Sequence, residues 1–282
     1  MLDGALLLLG CDFTSAPSKR KAIVLALGNA QGARLSVSQI LRFHSFQDFS
    51  SWLRQERAWL GGFDLPFGLP RALVQDLGWP LEWSALMAHY ASLSRSQIRD
   101  TFAAYCNARP VGEKFAHRAT DRLAGSSSSM KWVNPPVAYM MHAGVPLLLQ
   151  AGVELAGLSN HSQTDRPNQR VALEAYPGLL AREVLGQRSY KNDAKAQQTA
   201  QRLIARKDLI TALEHGQTRL GLRLKLSHAQ RDALVDDATG DSLDAVLCLM
   251  QAAWAGAQLQ SGHPLYGLPA DMDALEGWII SA

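Results

Sequence analysis

Apolar residues run almost unbroken through ALLLLGCDF, residues 5–13. A stretch apolar at nearly every position predicts a strand covered on both faces, central in a sheet flanked by helices. A turn-like TSAPSKRK follows, then AIVLALGNA and ARLSVSQILRF, two further strand patterns separated by Gly28, Asn29 and Gly32. Connections this short imply an antiparallel meander. The period then changes: Phe46, Phe49, Trp52 and Leu53 of SFQDFSSWLRQERAWL fall at helical spacing, with Ser45 placed as N-cap. That helix leads directly into WLGGFDLPFGLP, an apolar strand ended at Asp64, because Pro66 cannot donate to a ladder and Gly68 and Pro70 turn the chain. Strand, helix and strand make a crossover, so the Asp64 strand is expected parallel to the Asp12 strand and beside it.

From residue 71 to about 165 the pattern is mainly helical, interrupted by GSSSSMKWVNPP, and reads as an insertion. QRVALEAYPG is a strand ended by Pro177 and Gly178, residues 193–215 suit a long helix, and SLDAVLCLMQAAWAGAQL suits a last one. The expected architecture is one α/β domain over residues 1–282: a mixed sheet, with an antiparallel meander followed by strand–helix units, and a helical insertion.

Composition narrows the function classes. With 282 residues and 47 % hydrophobic side chains the chain can bury a substantial core. A net charge of +3 builds no global basic field, so any anion site must be local. Cys11, Cys106 and Cys248 form no CxxC pair, which predicts free thiols and a cytoplasmic setting. LLLLG is too short to span a bilayer and no basic residue precedes it, so neither a signal peptide nor a membrane anchor is expected. HExxH, GxSxG, Walker A and GxGxxG motifs are all missing, which removes the usual zinc-protease, esterase, P-loop and dinucleotide readings.

Candidate chemistry lies in the acids. Asp12, Asp64 and Glu174 each stand at or near a predicted strand end, where the loops of a largely parallel sheet leave an open crevice. Asp241 and Asp244 are three apart at the start of a helix and share one face of it. If these acids converge they require cations or protons, because two unit charges about 4 Å apart repel by roughly 4 kcal/mol at an effective dielectric near 20. Carboxylate oxygens favour hard ions such as Mg²⁺ or Mn²⁺, and two such ions can carry out phosphodiester hydrolysis. Plainer roles exist for each residue: Asp12 and Asp64 suit turns, Glu174 a loop backbone, Asp241 an N-cap, and Asp244 the first turn of a helix. Lys19 in the hairpin turn and Lys131 beside the serines are the candidates for phosphate contact, although such lysines, and Arg202 and Arg206 on the long helix, commonly face solvent.

Four segments in order, GCDFTSAPSK, GGFDLPFGLPR, LEAYPG followed by Tyr190–Lys191, and DSLDAVLCLMQAAW, resemble the predicted RNase-H-like nucleases catalogued as domain of unknown function 429. They span residues 6 to about 255. The resemblance implies an RNase-H-like fold and a two-metal nuclease leaving a 5′-phosphate on a DNA or RNA substrate. Asp12 and Asp64 would be the acids of the first and fourth strands, Asp244 that of the last helix and Asp241 an additional helix acid, with Glu174 as a further possible ligand. Two other classes compete: an ATP-binding phosphotransferase of the actin or sugar-kinase type, with GCDFTSAP around phosphates, and a non-catalytic nucleic-acid-binding module.

Overall fold

The computed structural model describes residues 6–55, 57–159 and 169–282. Strands β1 (Leu7–Asp12), β2 (Ile23–Gln31) and β3 (Arg34–Phe43) form the expected antiparallel meander. Helix α1 (Phe46–Leu53), capped by the Ser45 hydroxyl on the Asp48 amide, crosses over to β4 (Trp59–Asp64). It is shorter than its apolar pattern suggested, closing at Arg54 before the next strand begins. As anticipated, β4 lies beside β1 and parallel to it.

The insertion carries α2 (Arg71–Asp76), α3 (Trp83–Ser92), α4 (Arg95–Asn107), α5 (Ala119–Ala124) and α6 (Val137–Gln150). Its expected end at residue 165 falls outside the described residues. Strand β5 (Glu154–Leu155) and β6 (Arg170–Glu174) add parallel neighbours beyond β4. Helix α7 (Pro177–Leu185) follows, and then α8 (Ala200–His215), which starts later than the pattern suggested because residues 195–197 form a separate 3₁₀ turn. After β7 (Arg223–Lys225) and α9 (His228–Asp236) comes the last helix, α10 (Asp241–Gln260). The result is an α/β fold with a mixed seven-stranded sheet, in the order β5-β6-β4-β1-β2-β3-β7, flanked by helices.

Two cores follow from strand alternation. Leu9, Cys11, Leu25 and Phe63 face the insertion and α1, whereas Leu8, Val24, Leu60 and Leu173 face α7, α8 and α10. The three cysteines are free and buried, and among the described residues no helix is long and apolar enough to cross a membrane.

Helix α10 presses directly onto the sheet, and two glycines make this possible. Gly10 and Gly62 are register partners on β1 and β4. A Cβ on Gly10 would overlap the Leu249 nitrogen and the Ala245 carbonyl oxygen, and one on Gly62 would meet the Cys248 oxygen at 2.5 Å. Gly10→Ala is therefore expected to lift α10 off the sheet and destabilise the protein by on the order of 3 kcal/mol, read as a lower urea midpoint.

Candidate active site

The helix seat determines the site. Asp12 lies two residues beyond Gly10 and Asp64 two beyond Gly62, so both carboxylates project from the face that carries α10. Asp12 and Asp64 are themselves register partners, side by side at the ends of parallel strands. The first turn of α10 supplies Asp244 and Asp241, both buried. Four of the five acids singled out in the sequence thus come together.

Asp241 begins α10 and is not its N-cap, a place held by Gly240 in a left-handed conformation. The carboxylate that serves the helix start is Asp237, which accepts from the Ser242 amide at 3.0 Å and the Thr239 hydroxyl at 2.6 Å. Burial would raise Asp237, but these hydrogen bonds and Arg42 bring it down to about 2. Asp237 therefore frees Asp241 and Asp244 for the cluster.

Cations meet the two helix acids. The Asp244 carboxylate accepts from the Tyr190 hydroxyl and from Lys191 Nζ, and Lys21 Nζ stands 2.7 Å from Asp241 Oδ1 and 3.3 Å from Asp193 Oδ1. The Asp12 and Asp64 carboxylates, by contrast, have no hydrogen-bond donor among the described residues, the nearby lysines and Tyr190 being placed on Asp241 and Asp244. Burial and then the Asp244 charge push Asp12 well above the carboxylate range, and the same two causes raise Asp64 to about 7. Burial would lower Lys191, but Asp244, Tyr190 and Asp12 overcome it and hold the ammonium firmly charged. Four carboxyl groups thus face two ammonium groups in a largely buried place, and without further cations Asp12 and Asp64 are driven to hold protons.

Between about pH 4 and pH 7 the folded protein holds a proton on Asp64 that the unfolded chain has already released. Raising the pH through that window favours unfolding, so the metal-free protein is expected to be on the order of 2 kcal/mol less stable at pH 7.5 than at pH 4.5 through Asp64 alone. Urea unfolding of Asp64→Asn should show that share of the pH dependence removed.

Glu174 departs from the expectation. Its register partner is Phe63, one residue before Asp64, so its side chain points to the opposite face of the sheet. There Arg118 donates to both of its oxygens, at 2.6 and 2.8 Å, and the Phe67 amide adds a third bond at 2.9 Å. Arg118 also pairs with Asp121 at 2.8 Å, and all three residues are buried. Glu174 anchors the insertion to the sheet and does not join the four-Asp cluster.

Lys191, named in the sequence beside the LEAYPG segment, reaches the acids, whereas the two phosphate candidates Lys19 and Lys131 do not. Lys19 is exposed in the turn after β1, and it is Lys21, two residues on, that reaches Asp241. Lys131 is part of the loop before α6, its carbonyl accepting from the Ala138 amide, and the adjacent Trp132 packs against Phe115. Arg206, expected in solvent, is buried and donates to the carbonyls of Tyr190 and Val235, which fixes the segment bearing Lys191. A cleft of about 440 Å³ opens beside Asp64, with Lys191, Tyr190, Tyr176 and Arg188 among its lining.

The donor set, all carboxylate oxygen and short of positive charge, fits hard divalent cations in chemistry and in sign. Among the described residues no group of three His, Cys, Asp or Glu side chains is arranged, as it stands, to hold one ion. The ammonium groups of Lys191 and Lys21 take the outer carboxylates instead. Both lysine side chains are more than one-third exposed and sit on flexible stems, so they can withdraw toward solvent when a cation arrives.

Comparison with known proteins finds no matching curated protein and no matching solved structure. A family model described as "Protein of unknown function (DUF429)" matches residues 10–267, which include all four clustered acids as well as Lys21 and Lys191. The chain belongs to the DUF429 family.

Proposed function

We propose that this protein is a divalent-metal-dependent nuclease that hydrolyses nucleic-acid phosphodiester bonds. The observation that carries the reading is the in-register pair Asp12 and Asp64 at the ends of parallel strands, beneath the helix start that bears Asp241 and Asp244. The sheet order supports an RNase-H-like assignment: a meander β1-β2-β3 extended on its β1 side by the parallel strand β4, with the last acid on a helix lying across β1 and β4. The actin or sugar-kinase alternative calls for two such halves, and the described residues contain a single sheet.

In this reading Asp12, Asp64 and Asp244, with Asp241, hold Mg²⁺ or Mn²⁺. Bound ions would supply an activated water and charge stabilisation at the leaving oxygen. The protein's own contribution is to hold four carboxylates in a rigid, water-poor place. The strand register sets Asp12 against Asp64, and the glycine seat fixes the height of α10 above them. Tyr190, pushed upward by burial and the Asp244 charge, keeps its proton and orients the Asp244 carboxylate. Lys191, once it leaves Asp244, is available to a phosphate oxygen.

The direct test is cleavage of fluorescent DNA, RNA and branched substrates with Mg²⁺, with Mn²⁺ and with chelator. Metal-dependent cleavage supports the reading, and its absence across the whole panel rejects it.

A further inference from the structure

Beside the acids lies a cleft that the hydrolytic chemistry alone does not require. Its lining includes Asp64, Tyr190 and Lys191 together with residues of the insertion, Val137 and Met140 of α6 and the Ser126–Ser127 loop. Its volume of about 440 Å³ falls within the range of about 300–1,000 Å³ that encloses one small organic molecule. A base-paired duplex is far too large to enter.

The lining is mixed in a way that suits one particular kind of occupant. Val137, Met140, Ala181 and Ile279 provide apolar walls, and the Tyr176 ring, with the Arg182 guanidinium 5.2 Å from its centroid, provides an aromatic one. The same lining carries two cations, Lys191, which pairs with Asp244, and Arg188. Arg188 is tied only to Asp208, by a 2.7 Å pair whose members are both about half exposed, and exposed pairs of this kind are weak. The Arg118 guanidinium is fully used by Glu174, Asp121 and the Glu276 carbonyl, so it shapes the wall without offering charge. The cleft thus combines apolar and aromatic walls suited to a base with cations suited to phosphate, one of which, Lys191, stands at the acids.

We infer that the cleft binds a single unstacked nucleotide, so that the substrate of this site is single-stranded nucleic acid or a frayed strand end and not an intact duplex. The inference rests on the reading of the four-Asp cluster as a phosphodiester-hydrolysing site. The base enters between Tyr176 and α6, and its phosphate remains beside Lys191 and the acids. Stacking on an aromatic ring tolerates any base, so the cleft selects strandedness more than sequence.

The experiment is equilibrium binding with Ca²⁺ in place of Mg²⁺, so that the strands are not consumed, with nucleoside 5′-monophosphates of all four bases, a single-stranded oligonucleotide and a blunt duplex of the same sequence as probes. It is repeated with Val137→Trp and, independently, with Met140→Trp. Both residues are only partly buried, so each indole can enter the cleft without displacing the core. The inference expects the mononucleotides and the single strand to bind the wild type, the duplex to bind at least about tenfold more weakly, and each variant to lose about tenfold or more for the single strand, with Mn²⁺ affinity and melting temperature kept. It is overturned if the mononucleotides do not bind the wild type, if the duplex binds as well as the single strand, or if two folded variants bind the single strand unchanged. Cleavage is scored separately on parallel samples containing Mg²⁺. A protein that cleaves duplex and single strand alike fails this inference only, whereas one that binds nucleotides through the cleft but cleaves nothing fails the nuclease reading only.

Discussion

Asp12→Asn is expected to lower metal-dependent cleavage by about 10³-fold or more, because it removes the carboxylate that neighbours Asp64, Asp241 and Asp244 alike. The same substitution is expected to raise the melting temperature of the metal-free protein. Burial and the Asp244 charge hold the Asp12 carboxyl well above its ordinary range, so ionising it at neutral pH opposes folding. An amide of the same shape carries no such penalty. A functional acid in a strained electrostatic setting should show both effects together, loss of activity with gain of stability. A structural acid would show a loss of stability instead. Kinetics and thermal unfolding of one variant therefore separate the two roles, and unchanged cleavage by Asp12→Asn would remove Asp12 from the active site.

The largest stability effect is expected at Arg118. Arg118→Met leaves Glu174 and Asp121 buried on the insertion side of the sheet without their counter-charge, and removing one partner of a buried ion pair costs about 3–5 kcal/mol. Glu174→Gln in the same chain should restore part of that loss, since the uncompensated charge is then reduced. Mn²⁺ affinity of the double variant should stay near that of the wild type, because Glu174 faces away from Asp12 and Asp64. A large fall in Mn²⁺ affinity on Glu174→Gln alone would mean that Glu174 is a ligand after all.

The contrast between Glu174 and the four aspartates shows what a sequence can and cannot convey. An apolar run ended by an acid announces a central strand and its exposed end, and that was enough to place Asp12 beside Asp64. The face on which a side chain emerges depends on register, and register between distant strands has no local signal. Glu174 pairs with Phe63 and not with Asp64, and this offset of one residue sends it to the other side. The two Asp residues on α10 were legible through their helical spacing, whereas the glycine seat that brings them down became meaningful only once Gly10 and Gly62 were seen to be partners. Lys21 showed only as part of a basic run, Lys191 only within a family-like segment and Arg206 only at helical spacing with Arg202, and none of these signals names its partner. Two lie in irregular segments, and a buried arginine on a long helix carries the same spacing as a solvated one. Strands of two or three residues, such as β5 and β7, are too short to show an alternation.

As a cation site, the four aspartates gathered under α10 should take up a divalent metal ion directly. A crystal soaked in Mn²⁺ and measured at a wavelength where manganese scatters anomalously tests it most directly. The account predicts anomalous peaks among Asp12, Asp64 and Asp244, with the Lys191 ammonium moved off the Asp244 carboxylate. Manganese found only elsewhere on the protein, with Lys191 still paired to Asp244, would contradict it.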